Sequence, residues 1–410
     1  MKEYNSSNTS NWLGVTSSYE SITTVSVDQS CQDYDGETLK CLFSRCSNLT
    51  TINNLNYLNT SKVKDMGDMF SLCAKLGTLN LSGFNTSNVT KMDNMFDGCS
   101  SLISIRLLSF DTSNVTTMSS MFNGCSTLAS LDLSTFDTGK VTTMYQMFNG
   151  CTNLKRILVG DRWSTSSLTT AANNMFNNCS AIVGEYGTTY DFLTVNKTKA
   201  HTGKDGYLTL KTVTITPASA EGKYWATYYH SSVNRQADGA TTVYAATRNG
   251  RTLTLQGVGT GGIINAGQGV ILQSTAETIT LTYSTSATAE SIYRNNVLTG
   301  VDEATSQADG TTYYVLSNEG GTLGFYKYTA DRELGAHKAF IAVATSGSAP
   351  AMLALGLDNG AGTTAISGTE LKPDDEASDA AYYTLDGRRL TAHPAQKGIY
   401  ITGGKKVVIK

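Results

Sequence analysis

Apolar side chains recur along the first half of the chain with a period of about 26 residues. Six cysteines follow one another at steps of 27, 26, 26, 26 and 28 residues, and a Met-Phe or Leu-Phe pair ends three residues before each of them. Self-similarity at a fixed period of this size is typical of repeat arrays. The six cysteines are Cys46, Cys73, Cys99, Cys125, Cys151 and Cys179.

The clearest repeat predicts one short helix followed by one short strand. Its apolar positions from Val115 to Cys125 are spaced i, i+3, i+7 and i+10, as on one face of a helix. Residues 111–114 before them supply side chains that favour a helix start. Residues 128–133 read L-x-x-L-x-L, which predicts a half-buried strand. We therefore predict an α/β repeat solenoid of leucine-rich repeats, with a short helix and a short strand in each coil of about 26 residues.

The pattern changes after Leu210 to an alternation of apolar and polar side chains with period two. Short runs of this kind, such as 211–216 and 279–283, are separated by Gly, Asn and Asp turns. Such runs predict one or more all-β sandwich-like domains. The predicted organisation is an N-terminal segment or cap at 1–36, the repeats with a C-terminal cap at 37–210, one or two β-rich domains at 211–355, a linker at 356–380 and a short β segment at 381–410.

The repeat motif resembles a known family. The pattern Met-Phe-x-x-Cys-x-x-Leu-x-x-Leu-x-Leu-Ser-x-Phe-x-Thr-Ser-x-Val-Thr-x-Met, over residues 40–185, is similar to the BspA-like leucine-rich-repeat family of bacterial surface proteins. Residues 201–209 resemble the segment that closes such arrays, and residues 381–410 resemble C-terminal domains that direct proteins across or onto the outer membrane. The resemblance implies adhesion to host matrix proteins or to other microbes.

Composition supports an exported protein. The net charge is −3 without a Lys/Arg-rich run, which argues against nucleic acid as a partner. The sequence contains no apolar run of 18 residues, so we predict no transmembrane span. The first residues lack an apolar signal region, so either a signal peptide has been removed before residue 1, which we expect, or the protein is not exported by that route. The expected location is extracellular or on the outer cell surface.

The spacing of the cysteines and histidines does not indicate a metal site or a catalytic site. The six periodic cysteines fall on the inward face of the repeat and predict a reduced ladder in the core. Cys31 and Cys41 lie outside this ladder, and a bridge between them stays open. Zinc is not expected, because no CxxC motif is present and the four histidines are isolated from the cysteines. We predict no catalytic, cofactor-binding or metal site, and no enzyme activity. The histidines are His201, His230, His337 and His393.

The outward positions of the repeat strands are the candidate binding face. Repeat proteins use extended ladders of this kind to bind other macromolecules. We therefore predict a non-enzymatic, adhesin-like protein that presents this face to host or microbial proteins. The residues of the predicted face are Thr78, Asn80, Ser104, Arg106, Ser130, Asp132, Arg156 and Leu158.

Two alternatives remain open. Tyr224, Trp225, Tyr228 and Tyr229 place aromatic rings on both faces of a predicted strand. One face can be core, and the other could stack on a sugar ring, which would make the protein a glycan binder. The second alternative is a structural surface component, which would self-associate without a foreign ligand.

Overall fold

The computed structural model describes residues 19–169, 173–220, 222–308, 310–319, 322–328, 334–344, 349–358, 363–365, 382–383, 398–402 and 405–409. Over these residues the chain is nearly all β and contains no α-helix. The predicted α/β solenoid of alternating helices and strands is therefore wrong. Short 3₁₀ turns are the helical elements of the described chain, at Tyr19–Ser21, Gln29–Asp33, Leu55–Tyr57, Lys197–Lys199 and Glu290–Tyr293.

Each repeat forms one coil that carries a short strand. The strands pair in parallel as β1 with β2, β3 with β4, and β5 with β6 and then β7. Residues one repeat apart therefore lie side by side, as Leu79 and Ile105 do. The strands are β1 (Thr24–Ser26), β2 (Thr51–Asn53), β3 (Thr78–Asn80), β4 (Ser104–Arg106), β5 (Ser130–Leu133), β6 (Arg156–Val159) and β7 (Thr209–Leu210).

Left-handed residues replace the predicted helix with a series of turns. Ser120 has φ 53° and Gly124 has φ 72°, and every coil repeats this pair four residues apart. A right-handed helix cannot include such residues, because the left-handed conformation reverses the path of the backbone. The pairs are Cys41 and Arg45, Asp68 and Leu72, Asn94 and Gly98, Ser120 and Gly124, Gln146 and Gly150, and Asn174 and Asn178.

The backbone of the turn segment bonds in two alternating directions. The N–H groups of Met118, Ser120 and Phe122 donate to carbonyl oxygens of the following coil, at 2.7–3.1 Å. The N–H groups between them, such as that of Met121, close turns with the residue three positions earlier. This pattern satisfies the buried polar backbone without a helix. Each coil is thereby tied to the next by main-chain hydrogen bonds.

The coils also stack through identical side chains. Six phenylalanine rings form a buried column from Phe43 to Phe176, with centroids 5.3–6.0 Å apart. A threonine column runs parallel to it. Thr112 Oγ1, for example, donates to the Asp137 carbonyl oxygen at 2.8 Å and accepts from the Asp137 N–H at 2.8 Å. The core of the repeats is therefore built from columns that run through successive coils.

The β-rich part does not form the predicted sandwich. Its described strands make an eleven-stranded sheet that curls into a half-barrel and a separate four-stranded sheet in the order β14-β11-β16-β8. The strands are β8 (Thr212–Ile215), β9 (Ala218–Ala220), β10 (Lys223–Tyr228), β11 (Asn234–Ala237), β12 (Thr241–Asn249), β13 (Thr252–Thr260), β14 (Ile263–Ile264), β15 (Val270–Ser274), β16 (Ile279–Ser284), β17 (Thr299–Val301), β18 (Thr311–Glu319), β19 (Thr322–Lys327), β20 (Lys338–Ala344), β21 (Met352–Asp358) and β22 (Thr363–Ala365).

One hydrophobic cluster lies between the two sheets and a second lies on the other side of the large sheet. The first joins Val243 and Leu272 of the large sheet to Leu281 of the small one. The second contains Trp225 and Phe325. The large sheet is therefore covered with apolar side chains on both faces, as its long buried strands require.

Residues 367–410 form a separate unit. Three antiparallel strands are described there, β23 (Tyr382–Tyr383), β24 (Gly398–Thr402) and β25 (Lys405–Ile409). Most of the predicted linker at 356–380 and residues 1–18 of the predicted N-terminal segment lie outside the described residues.

Candidate binding face and junction

The N-terminal half of the predicted binding face is exposed and in register. Thr78 lies opposite Ser104, and Asn80 lies opposite Arg106, across the β3–β4 pair. All four side chains are exposed, whereas Leu79 between them is buried. This alternation is what the repeat strands predict, since successive side chains of a strand point to opposite faces.

The C-terminal half of the face is occupied by contacts within the chain. Arg156 donates to the Gly184 carbonyl oxygen and to Thr209 Oγ1, both at 3.0 Å, and its guanidinium lies 5.5 Å from the Tyr283 ring centre. Asp132 forms an ion pair of 2.6 Å with Lys211. Arg156, Asp132 and Leu158 are only half-exposed, while Ser130 is exposed. The predicted face is thus divided into a free part and a part that contacts the β-rich region.

The contacts of Asp132 favour the ionised form of its carboxyl group. Burial opposes ionisation, but hydrogen bonds from Lys211 and Ser134 outweigh it and lower the pKa of the Asp132 carboxyl below its ordinary value of 3.8. Asp132 is therefore an anion held in a structural ion pair rather than a free ligand-binding group.

A groove of about 250 Å³ lies beside the free part of the face. It is lined by the strand residues Ile52, Thr78 and Asn80 and by the loop residues Asn54 and Phe84, among others. The groove lies where β2 and β3 approach without a hydrogen-bonded ladder, since β2 pairs with β1 and β3 pairs with β4. Its lining of apolar and amide side chains suits a protruding side chain of a partner.

Two exposed apolar residues flank β4. Ile103 directly precedes the strand and is 64% exposed, and Leu108 follows it and is 55% exposed. The free part of the predicted face therefore combines the polar Thr78, Asn80 and Ser104 with the cation Arg106 and this apolar pair. We call these six residues the free strand face.

The aromatic residues of the glycan alternative are mostly inside the fold. Trp225 is 2% exposed and Tyr228 is 1% exposed, and each packs in one of the two hydrophobic clusters of the large sheet. Tyr224 and Tyr229 are only half-buried. The Trp225 ring is therefore unavailable for stacking on a sugar at the surface.

The structure brings together side chains that sequence reasoning had separated. The rings of His230 and His337 stack at 5.1 Å with an angle of 10° between their planes, and Asp302 lies against both. Glu185 and Tyr186, from the end of the repeats, complete this group. We call these five residues the junction cluster. The residues of the junction cluster are far apart in sequence and show no regular spacing, so no sequence motif indicates them.

Both cysteines outside the ladder are free, as are the six periodic ones. The six form the reduced, buried ladder that the sequence predicts, and Cys31 and Cys41 are half-buried without a bridge. No helix among the described residues has the length and apolar character needed to cross a membrane.

Comparison with known proteins finds one family that is similar to the repeats. Residues 37–130 and 77–190 each match the family described as Mycoplasma protein of unknown function, DUF285. This family is related to the BspA-like repeat surface proteins. No curated protein and no solved structure matches the chain. The repeats are thus similar to a family whose own function is not known.

Proposed function

We propose that the protein is a non-enzymatic, adhesin-like binding protein of the cell exterior that presents the free strand face to a host or microbial protein. One observation carries the proposal. Arg106 lies exposed between the apolar Ile103 and Leu108, next to the groove, and makes no ion pair within the described residues. Arginine set among apolar surface is typical of residues that dominate protein interfaces.

The surroundings of the free strand face support the same proposal. Thr78, Asn80, Ser104 and Arg106 are held in fixed register by the β3–β4 pairing, so their donors and acceptors are preorganised. A partner then loses little of its binding free energy to ordering this surface. The match of the repeats to a relative of surface proteins favours an extracellular setting.

Binding of the full-length protein to a panel of immobilised matrix proteins tests the proposal. We expect saturable binding to at least one of them, and a roughly tenfold weaker Kd for Arg106→Ala, because truncating an interface arginine commonly costs 1–2 kcal/mol. Lys91→Ala is the matched control, since Lys91 is an exposed cation on the turn side of a coil. Equal weakening by both variants would indicate non-specific attraction of charge and contradict the proposal.

A glycan array with the same full-length protein separates the main alternative. Burial of Trp225 and Tyr228 argues against the glycan alternative, which leaves the half-buried Tyr224 and Tyr229 as its candidate residues. Sugar binding without protein binding would replace the proposed function. Concentration-dependent self-association in the absence of any ligand would instead favour a structural surface component.

A further inference from the structure

The junction cluster joins the repeats to the β-rich region at three strand ends. Val301 of β17 lies opposite Lys338 of β20, which places Asp302 next to His337 just beyond this pair. His230 follows β10, and the neighbouring Tyr229 N–H donates to the His337 carbonyl oxygen at 3.1 Å. The three side chains are therefore held by the sheet itself and not by a mobile loop.

Three ligand atoms converge in this cluster. Asp302 Oδ1 lies 3.9 Å from His230 Nδ1 and 3.7 Å from His337 Nδ1, and one ligand atom from each of the three residues lies within 4.8 Å of the other two. Two imidazoles and one carboxylate are borderline ligands of the kind that zinc and its neighbours prefer. On a tetrahedral zinc ion such ligand atoms lie about 3.4 Å apart, so binding requires them to draw together from separations of up to 4.8 Å.

The other ring nitrogens face oxygen atoms, and that of His337 already has a hydrogen-bond partner. His337 Nε2 lies 2.9 Å from the Tyr186 hydroxyl, and His230 Nε2 lies 3.4 Å from Glu185 Oε1. A ligating histidine commonly directs its second N–H to a carboxylate or another oxygen, which leaves the first nitrogen free for the metal. This assignment of the ring protons leaves both Nδ1 atoms unprotonated on the side of the rings that is near Asp302.

The polar atoms of the cluster are incompletely satisfied. Within the described residues, His337 Nδ1 and His230 Nε2 are buried without a hydrogen-bond partner, and the His230 side chain is only 2% exposed. A buried polar atom without a partner is destabilising, and a bound ion would supply the missing partner of His337 Nδ1. His230 Nδ1 accepts a long hydrogen bond of 3.2 Å from the Ser232 N–H, which a metal would have to replace.

The charges favour a cation at the same point. Glu185 is neutralised by Arg235, which is 0% exposed and donates to Glu185 Oε1. Asp302 has no such cation, and it accepts a 3.0 Å hydrogen bond from the Ser231 N–H. One carboxylate charge therefore faces the two imidazoles without a permanent positive partner among the described residues.

We propose that His230, Asp302 and His337 form a binding site for one divalent transition-metal ion of the zinc class, which links three strand ends of the β-rich region. The two rings are nearly parallel, so binding requires the His337 ring to tilt toward Asp302. His337 and Asp302 can move, since their side chains are 28% and 19% exposed, whereas His230 is fixed by burial. Three protein ligands leave one coordination position for water.

Calorimetric titration of the untagged, chelator-treated full-length protein with Zn²⁺ tests this site. We expect one equivalent to bind, and at least a tenfold loss of affinity in both Asp302→Asn and His337→Gln, because removing a ligand costs more than the 10–100-fold loss seen for outer partners. His201→Gln is the matched control. His201 is exposed and lies 3.4 Å from Asp205, so it offers a surface His–Asp pair of the same composition.

A second readout keeps the test independent of how well the variants fold. Zn²⁺ should raise the Tm of the wild-type protein and of His201→Gln, but not that of Asp302→Asn, because only a site in the folded state stabilises by binding. Circular dichroism of the metal-free proteins shows whether Asp302→Asn is folded. Absence of a stoichiometric binding event in the wild type, or its loss in His201→Gln instead, would overturn the proposal.

Discussion

The repeated cysteine occupies a buried position that requires a small side chain with one hydrogen-bond donor. Cys151 Sγ donates to the Phe122 carbonyl oxygen at 3.0 Å, and Cys99 Sγ donates to that of Phe70 at 3.2 Å. Burial raises the pKa of both thiols to about 12. Because the thiolate is the reactive form, these cysteines are chemically inert in the folded protein.

Alkylation of the native protein should therefore distinguish two classes of cysteine. We expect iodoacetamide at pH 8 to modify Cys31 and Cys41, which are half-buried, and to leave the six periodic cysteines unmodified until the protein is unfolded. Peptide mass spectrometry before and after denaturation measures the two classes. Early modification of Cys125, which lies in the middle of the ladder, would show that the coils open or that the core is not packed as described.

Burial of the cysteine ladder was predictable, but its hydrogen bonds were not. The inward spacing of Cys125 relative to Phe122 is visible in the sequence. From Cys73 onward, the partner of each ladder thiol is a carbonyl oxygen of a different coil, 29–31 residues away, and depends on how successive coils are aligned. That alignment is a tertiary property which a single repeat does not determine.

The turn segment shows how a correct apolar pattern can predict the wrong element. The spacing from Val115 to Cys125 fits a helix, but the same side chains point inward from a series of turns. A second signal was present in the sequence, because Asn94 and Gly98 or Ser120 and Gly124 stand four residues apart in corresponding positions. Asn and Gly are the residues that most readily adopt the left-handed conformation.

Substitutions at Ser120 separate the two structures. In a helix, Gly would be about 1 kcal/mol less stable than Ala. At φ 53° the order is reversed, so we expect Ser120→Gly to be more stable than Ser120→Ala by about 1 kcal/mol. Urea unfolding of the two variants gives the difference directly. If Ser120→Ala proved the more stable, the turn structure of this segment would be contradicted.

At the scale of elements, the strands were the reliable part of the prediction. The L-x-x-L-x-L stretches placed β3 to β6 in the chain, and the alternation within them indicated which side chains point outward. The sequence could not show that Arg156 and Asp132 would be used within the chain. Their partners lie beyond the repeats, in residues that have no repeat pattern to align them.

The passage from repeats to the β-rich region is built from direct contacts. β7 ends at Leu210 and β8 begins at Thr212, so Lys211 is the only residue between a strand of each region. Lys211 donates to the Val159 carbonyl oxygen through its N–H and to Asp132 through its side chain. The predicted boundary at 210/211 therefore coincides with a rigid connection and not with a linker.

The Asp132–Lys211 ion pair should make stability depend on pH in the acid range. The pKa of Asp132 is lower in the folded state than its ordinary value of 3.8. The ion pair therefore contributes to the free energy of unfolding above about pH 4, and this contribution is lost as the pH falls below that. Both side chains are partly exposed, which limits the effect to less than about 1 kcal/mol.

Urea unfolding at pH 7 and pH 3 measures this contribution. Asp132→Asn should be less stable than the wild type at pH 7, and the difference should shrink at pH 3. The matched variant is Asp161→Asn, which changes an exposed aspartate outside this ion pair. If the difference in stability between Asp132→Asn and the wild type were the same at both pH values, the loss would come from packing and not from charge.

The main-chain bonds between coils have a consequence for how such a chain can change in length. Each coil donates N–H groups to the following coil, and its carbonyl oxygens accept from the equivalent N–H groups of the preceding coil. The same atoms are therefore used at each contact between coils. Loss or duplication of one complete unit, such as residues 94–119, joins two contact surfaces that already match. A change of more than the one or two residues by which the repeats already differ in length misaligns the phenylalanine and threonine columns. Sequence variation in this protein should therefore be quantised, with insertions and deletions in whole units of about 26 residues.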